Sequence, residues 1–185
     1  VNNVAYLQLP YVLLDERRSK FHEVILVCDY KGVGGGEMKV LVYPPNSLIL
    51  SDLVERAGHE PVVLMKEIGE RVRDAEIDAP PLNITEEDLK RALRYVSVEE
   101  PAGLKGRIGI LVPLLEKAEA AIIVENAPPT FGCMGCAVAD EYFKFLIKKK
   151  GIPVLEVRYE GEEKIEELVS EIMSFLSELK QREAS

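Results

Sequence analysis

The sequence predicts an α/β fold, with a mainly parallel sheet of about four strands flanked by helices in a doubly wound, three-layer arrangement. Short apolar runs of strand length alternate along the chain with longer amphipathic stretches of helical spacing. Prolines and glycines stand between the two kinds of segment, where they end strands and helices. At 185 residues, the chain is long enough for one domain with a full core.

The first β–α–β unit is the clearest. Residues 39–43 and 61–65 are predicted strands, and residues 47–56 between them are a predicted helix. Pro44 and Pro45 cannot continue the ladder and therefore break the first strand. A unit of this kind predicts parallel strands joined by a right-handed crossover.

The middle of the chain is less regular. Residues 67–72 predict a short helix. Thr85, followed three residues later by Asp88, resembles a capping box with a shorter acid and predicts a helix that runs to Val96. The apolar run over residues 105–117 fits strand and helix, and we predict a helix because the next strand begins too soon afterwards.

The second β–α–β unit carries the strongest chemical signal. Residues 120–124 and 154–157 are predicted strands, and an amphipathic helix opens at Ala137 between them. Cys133 and Cys136 form a C-x-x-C motif immediately before this helix. A final helix follows over residues 162–181, with one apolar stripe and a glutamate-rich first turn.

Residues 1–37 differ from the rest of the chain. A Gly-Gly-Glu run stands directly before Met38, as a purine-rich ribosome-binding site would read if translated in frame, and the chain begins with Val1. Two interpretations follow: a mis-assigned start, or a genuine strand joined by a glycine linker. In either case, residues 38–185 are predicted to form a single α/β domain.

Composition excludes several classes of protein. The formal net charge of −9 argues against nucleic acid as a partner, since nucleic-acid-binding proteins present a basic face. No apolar run approaches the roughly 20 residues that cross a bilayer, and the start lacks the pattern of a signal peptide. Three cysteines are too few for a disulfide scaffold. We therefore expect a cytoplasmic protein without a membrane partner.

Cys133 and Cys136 allow three interpretations. A helix N-terminus stabilises a thiolate, so Cys133 would attack and Cys136 would resolve in a redox pair. Alternatively, the pair supplies two of the about four ligands of a zinc ion or iron–sulfur cluster. The missing ligands would then come from a second copy, a partner protein or Cys28. In the third interpretation, the thiols are packed structurally and have no chemical role.

Polar residues follow two of the predicted parallel strands. Asn46 and Ser47 come after the first strand, and Asn126 and Thr130 come after the strand that precedes the cysteines. Loops at the carboxyl ends of parallel strands bind ligands near a switch in strand order. All four residues are therefore candidate ligand-binding residues, although helix capping is the favoured role of Asn46 and Ser47.

Other charged residues give weaker signals. A charge run in the middle of the chain is either solvated, the favoured interpretation, or an anion or partner site: Arg71, Arg73, Asp74 and Asp78. Arg107 leaves the same two alternatives open. His59 follows the glycine that ends a predicted helix, and we expect it to be exposed.

Residues 122–157 locally resemble the first β–α–β unit of a glutaredoxin or thioredoxin, in which C-x-x-C also opens a helix. The resemblance is limited to this unit. Those families continue with a strand pair and a loop proline opposite the thiols, whereas only one predicted helix follows here. A small thiol oxidoreductase that acts alone is therefore the alternative function.

Five stretches carry a resemblance that covers most of the chain: residues 39–56, 76–84, 120–124, the Phe-Gly-Cys-Met-Gly-Cys segment at 131–136, and residues 150–156. From residue 38 to about 176, the sequence resembles the methanogenesis marker 5 family of methane-producing archaea. The resemblance implies a cytoplasmic accessory or assembly factor in maturing or reductively activating methyl-coenzyme M reductase. It also implies protein partners in a methanogenesis-related complex, or a homo-oligomer. A structural subunit with incidental thiols is the third possibility.

Overall fold

The computed structural model describes residues 38–73, 84–127 and 137–183. Within these ranges, the chain forms a four-stranded parallel sheet with six α-helices. This confirms the predicted α/β class. The hypotheses about residues 1–37, Asp74, Asp78, Thr130 and the two paired cysteines lie outside the described residues.

The sheet has the strand order β2-β1-β3-β4, and all three pairings are parallel. The strands are β1 (Lys39–Tyr43), β2 (Glu60–Val62), β3 (Ala120–Glu125) and β4 (Val154–Arg158). The chain moves to one side of β1 for β2 and to the other side for β3 and β4. The strand order therefore reverses between β1 and β3, which is the topological switch point of the sheet.

Helices cover both faces of the sheet. They are α1 (Leu48–Arg56), α2 (Leu64–Arg73), α3 (Glu86–Ala92), α4 (Ala102–Lys117), α5 (Ala137–Lys149) and α6 (Ile165–Glu183), with a 3₁₀ turn at Glu162–Lys164. Leu41, Ile123 and their neighbours on one face share a core with α4 and α5. Val40 and Ile122 point to the other face, where α1 and α6 contact each other.

Helix α2 begins earlier than predicted and shortens the strand before it. The prediction placed a strand over residues 61–65, but β2 ends at Val62 and α2 starts at Leu64. The Leu64 N–H donates to the carbonyl of Pro45 at 2.7 Å, which ties the end of β2 to the loop after β1. The local pattern of the sequence does not reveal this contact, because it joins the start of α2 to a loop in another part of the chain.

The capping box at Thr85 is confirmed. The Thr85 side chain accepts from the backbone N–H of Asp88, and the Asp88 carboxylate accepts from the backbone N–H of Thr85 at 2.8 Å. Asp88 is also the centre of a buried ion cluster, because Arg71 and Arg91 donate to it at 2.6 and 2.8 Å. Arg71 therefore joins α2 to α3 and is not part of a solvated run.

His59 is buried, so the expectation that it is exposed was wrong. Only 3% of the residue is exposed. Gly58 adopts φ +80°, a left-handed turn that directs the chain beneath α6. Nε2 of His59 lies 2.9 Å from the carbonyl of Leu176, and the Met38 N–H donates to Nδ1 at 3.3 Å. The imidazole thus links the start of β1 to α6.

The described helices include none that is long and apolar enough to cross a membrane.

Candidate functional site

The candidate site lies at the carboxyl ends of β1 and β3, on the two sides of the switch point. β1 ends at Tyr43, which is level with Ile123 of β3. The described part of β3 and its turn ends at Ala127, and the chain is described again from Ala137, where α5 begins. In the sequence, Cys133 and Cys136 lie between these two points, outside the described residues.

The predicted polar residues at this edge have different roles. Ser47 caps α1, since its Oγ accepts from the Leu50 N–H at 3.2 Å and the residue is almost fully buried. The favoured capping role is therefore observed for Ser47. Asn46 precedes it and is half-buried, whereas Asn126 is exposed and adopts φ 54°. Asn46 and Asn126 follow neighbouring strands and so belong to the same edge of the sheet.

Tyr43 is the residue at the centre of this edge. Its side chain is buried between the sheet and α5, with its ring centroid 6.3 Å from that of Phe143. Burial raises the pKa of the Tyr43 phenol, and the charge and hydrogen bond of the Asp140 carboxylate raise it further. The phenol therefore stays protonated and donates to Asp140.

Asp140 is also held by Arg107 from helix α4. Nη2 of Arg107 donates to the Asp140 carboxylate at 2.9 Å, and both side chains are more than four-fifths buried. The sequence allows two roles for Arg107: a solvated charge, or part of an anion or partner site. It forms a largely buried ion pair instead, while its buried Nε has no hydrogen-bond partner among the described residues.

Lys144 forms a second ion cluster one turn further along α5. Its ammonium donates to both carboxylate oxygens of Glu125, at 2.9 and 2.8 Å, and pairs with Glu141 at 2.5 Å. Burial lowers the pKa of Lys144, but the hydrogen bonds that it donates to Glu125 and Glu141 outweigh that effect and raise the pKa. The ammonium also lies 5.9 Å from the centroid of the Tyr43 ring.

Together, these residues form a buried polar edge whose main effect is to hold helix α5. Three carboxylates face two cations, so the cluster carries one excess negative charge: Asp140, Glu125 and Glu141 against Arg107 and Lys144. The pairs connect the first two turns of α5 to α4 and to the last residue of β3. No group of His, Cys, Asp or Glu within 38–73, 84–127 and 137–183 is arranged to hold a metal ion.

Sequence reasoning did not single out Tyr43, Asp140 or Lys144. The sequence contains a signal for two of these residues. Asp140 and Lys144 are four residues apart on one helix and flank the apolar Phe143. Polar residues bordering the apolar face of a helix indicate partners from neighbouring elements. Their actual partners, Arg107 and Glu125, come from other elements, and helical spacing could not identify them.

Two concavities of the described chain lie away from this edge cluster. A groove of about 470 Å³ runs between α1 and β2 and includes the exposed side chains of Leu48 and Met65. Its floor contains His59, Glu60 and Pro61. A smaller concavity of about 250 Å³ lies on the opposite side of β2. Neither contains Tyr43, Arg107 or Lys144.

Comparison with known proteins assigns the chain to a family. Residues 38–179 match the model of a family described as an uncharacterized protein conserved in archaea, DUF2112. The chain belongs to this archaeal family. An uncharacterized protein of the methanogen Methanocaldococcus jannaschii is 50% identical over 146 residues, which cover 78% of this chain and 97% of the relative. No solved structure matches the chain.

The DUF2112 match contains the whole sheet and the edge cluster. It begins at Met38, directly before β1, and extends into α6. It also includes the C-x-x-C segment, residues 133–136. The polar edge and the paired cysteines thus belong to the part of the chain that defines its family membership.

Proposed function

We propose that this protein is a cytoplasmic accessory or assembly factor of methanogenesis, which acts in the maturation or reductive activation of methyl-coenzyme M reductase. Its membership in an archaeal family and its methanogen relative support a role in this group of organisms. The resemblance to the methanogenesis marker 5 family supports the more specific assignment. Cys133 and Cys136 are the proposed contacts to a redox partner, a zinc ion or an iron–sulfur cluster.

One observation carries the proposal: the chain leaves β3 at the topological switch point, and the C-x-x-C motif follows in the sequence before α5 begins. In parallel α/β sheets, this is the position at which ligands and partners bind. A pair of thiols supplies only two of about four metal ligands, so another chain would complete such a site. This requirement favours an assembly factor over an enzyme that acts alone.

The polar edge gives the proposed site a rigid support. Helix α5 starts directly after Cys136 in the sequence, and Arg107 and Lys144 hold its first two turns through Asp140 and Glu125. Fixed supporting contacts keep a binding geometry from drifting, which matters for a partner or a shared metal. Asn46 and Asn126 are further proposed contacts from the same edge, and Thr130, which follows Asn126 by four residues in the sequence, is proposed with them.

A small thiol oxidoreductase of the glutaredoxin kind is the second candidate, supported by the strand, C-x-x-C and helix order. The described sheet is entirely parallel, and β4 leads into the 3₁₀ turn and α6. The antiparallel strand pair that carries the loop proline in those families has no counterpart within the described ranges. The assembly factor is therefore the better-supported function.

Metal analysis after anaerobic purification separates the candidates. Stoichiometric zinc, or iron with sulfide, that disappears in the Cys133→Ser, Cys136→Ser double variant would support a shared metal site. A metal-free protein that turns over a disulfide substrate would support the oxidoreductase. Cys28→Ser is measured beside the double variant, since Cys28 lies outside the motif and outside the family match. Metal that is retained in Cys28→Ser leaves the remaining ligands to another chain, whereas metal that is lost would make Cys28 one of the ligands.

The cellular role is tested by replacing the gene in a methanogen with the double cysteine variant. The proposal predicts that the cells accumulate methyl-coenzyme M reductase in an inactive form, while Cys28→Ser cells keep normal reductase activity. Unchanged reductase activity with a stably expressed double variant would contradict the proposed role and leave the thiols structural.

A further inference from the structure

We propose that a second copy of this chain pairs with the open edge of strand β4, in antiparallel orientation, so that two four-stranded sheets become one continuous sheet in a homodimer. The proposal rests on the hydrogen-bonding groups of β4, on its side-chain pattern, and on the contrast with the opposite edge of the sheet. It is independent of the chemistry proposed for the cysteines.

Among the described residues, the backbone groups on the outer side of β4 have no partner strand. The Ala121 N–H donates to the carbonyl of Pro153, and the Tyr159 N–H donates to the carbonyl of Glu125, both at 2.9 Å. Backbone groups alternate in direction along a strand, so those of Val154, Glu156 and Arg158 face away from β3. Within the described ranges, β4 pairs with β3 alone. Three consecutive outward positions therefore offer both a donor and an acceptor.

The opposite edge of the sheet is built differently. The Glu60 N–H donates to the carbonyl of Met38, so Glu60 and Val62 face β1 while Pro61 faces outward. Proline has no N–H and is confined to positions of this kind on edge strands, where it discourages further pairing. β2 is also only 3 residues long, whereas β4 has 5. The two edges thus differ in their capacity to accept another strand.

One register of antiparallel pairing matches the side chains of β4 to themselves. With Val157 on the two-fold axis, Glu156 lies opposite Arg158 of the second copy, and the same pair forms again on the other side of the axis. On the other face of the strand, Leu155 lies opposite Tyr159. Both of these side chains are half-buried in the single chain, and pairing would cover them.

The neighbouring register is unfavourable. With Glu156 on the axis, two like charges would lie directly opposite each other, which destabilises a strand pair. Lys148 already neutralises part of this charge, because its ammonium lies 2.7 Å from Glu156. Charge therefore favours the register with Val157 on the axis over the one with Glu156 on the axis.

This arrangement has a consequence for the candidate site. In an antiparallel pair, the strands of the two copies run in opposite directions. The carboxyl ends of the strands of one copy therefore lie on the same side of the continuous sheet as the amino ends of the strands of the other copy. The second copy therefore cannot complete a site at the carboxyl edge of the first. Each dimer would instead present two separate sites, and their further ligands would come from a different protein.

Sedimentation equilibrium of the full chain tests the proposal, with an expected mass of twice 20.7 kDa at micromolar concentration. Arg158→Glu places two glutamates opposite each other twice per dimer, and we expect the dimer dissociation constant to rise about tenfold or more. This variant leaves the contact between Glu156 and Lys148 in place. The exchanged variant, Glu156→Arg with Arg158→Glu, restores opposite charges and should restore dimerisation.

Lys90→Glu is the control, because it reverses an exposed charge on α3, distant in sequence from β4, and should leave the dimer intact. Circular dichroism verifies that each variant is folded. A wild-type mass of 20.7 kDa throughout the concentration range would overturn the proposal. A dimer whose dissociation constant is unaffected by Arg158→Glu would also overturn the proposal. If the exchanged variant is folded but monomeric, this register and the charge argument for it are excluded.

Discussion

Lys144 of α5 donates to both carboxylate oxygens of Glu125, the last residue of β3, at 2.9 and 2.8 Å. The contact fixes the helix to the strand end that precedes the C-x-x-C segment in the sequence. Only 8% of the Lys144 side chain is exposed, whereas Glu125 and Glu141 retain more contact with water. The pair is therefore a structural support at the rim of the candidate site.

Replacement of Lys144 by Met should destabilise the protein by about 1–3 kcal/mol, because Glu125 would lose the cation that compensates its partial burial. The value lies below that of a fully buried pair, since the two glutamates are partly solvated. Urea unfolding at neutral pH measures the effect. Lys90→Met, which removes an exposed pair on α3, should change stability far less, and equal losses in the two variants would contradict the prediction.

Asp88 should make the stability depend on pH in the acid range. Burial alone would raise its pKa, but hydrogen bonds from Arg71 and Thr85 outweigh this effect and lower the pKa to about 2. A carboxyl group with a lowered folded-state pKa contributes stability above its unfolded-state pKa of about 4, and this contribution is lost as the pH falls towards 2.

Asp88→Asn should therefore lower stability at pH 7 by about 2–4 kcal/mol, because two arginines lose their counter-charge. The difference from the wild type should shrink as unfolding is measured at successively lower pH between about 4 and 2. Asp52→Asn is the control, since Asp52 forms an exposed pair with Arg56 on α1. If the free energies of unfolding of the wild type and of Asp88→Asn differ by the same amount throughout this pH range, the proposed role of Asp88 is wrong.

Gly109 should not tolerate alanine, although alanine is the better helix former. A Cβ atom at Gly109 would lie 2.1 Å from the backbone oxygen of Asp88, because α3 and α4 approach each other closely there. Gly109→Ala should cost about 2 kcal/mol or more. In the same helix, Gly103 has no atom within 4 Å of the corresponding position, and Gly103→Ala should stabilise by up to about 1 kcal/mol. Thermal unfolding of both variants tests the contrast, and equal shifts would disprove it.

Arg107 and Asp140 should be energetically coupled. The two side chains are largely buried, and each would be left without its charge partner if the other were made neutral. A double-mutant cycle of Arg107→Gln and Asp140→Asn should show a coupling of about 1–3 kcal/mol in urea unfolding. Additive losses would mean that the ion pair contributes little, and that Asp140 is held by Tyr43 alone.

The sequence alone determined the α/β class, the four strands and the existence of each helix. These features follow from local patterns, namely the spacing of apolar residues, the prolines after strands and the capping box at Thr85. The same patterns identified Asn46 or Ser47 as the cap of α1, and the structure shows that the cap is Ser47. They also brought out the C-x-x-C motif, whose chemical role is still a prediction.

The tertiary structure decided the strand order and the partners of the polar residues. His59 was expected to be exposed, but it contacts Leu176, 117 residues further along the chain. Lys150 follows the last residue of α5, and its ammonium donates to the carbonyls that end α4, including Glu116 at 3.1 Å. Local spacing carries no information about such contacts, because they depend on which elements pack together, and the edge around Tyr43 exists only once β1, β3 and α5 meet.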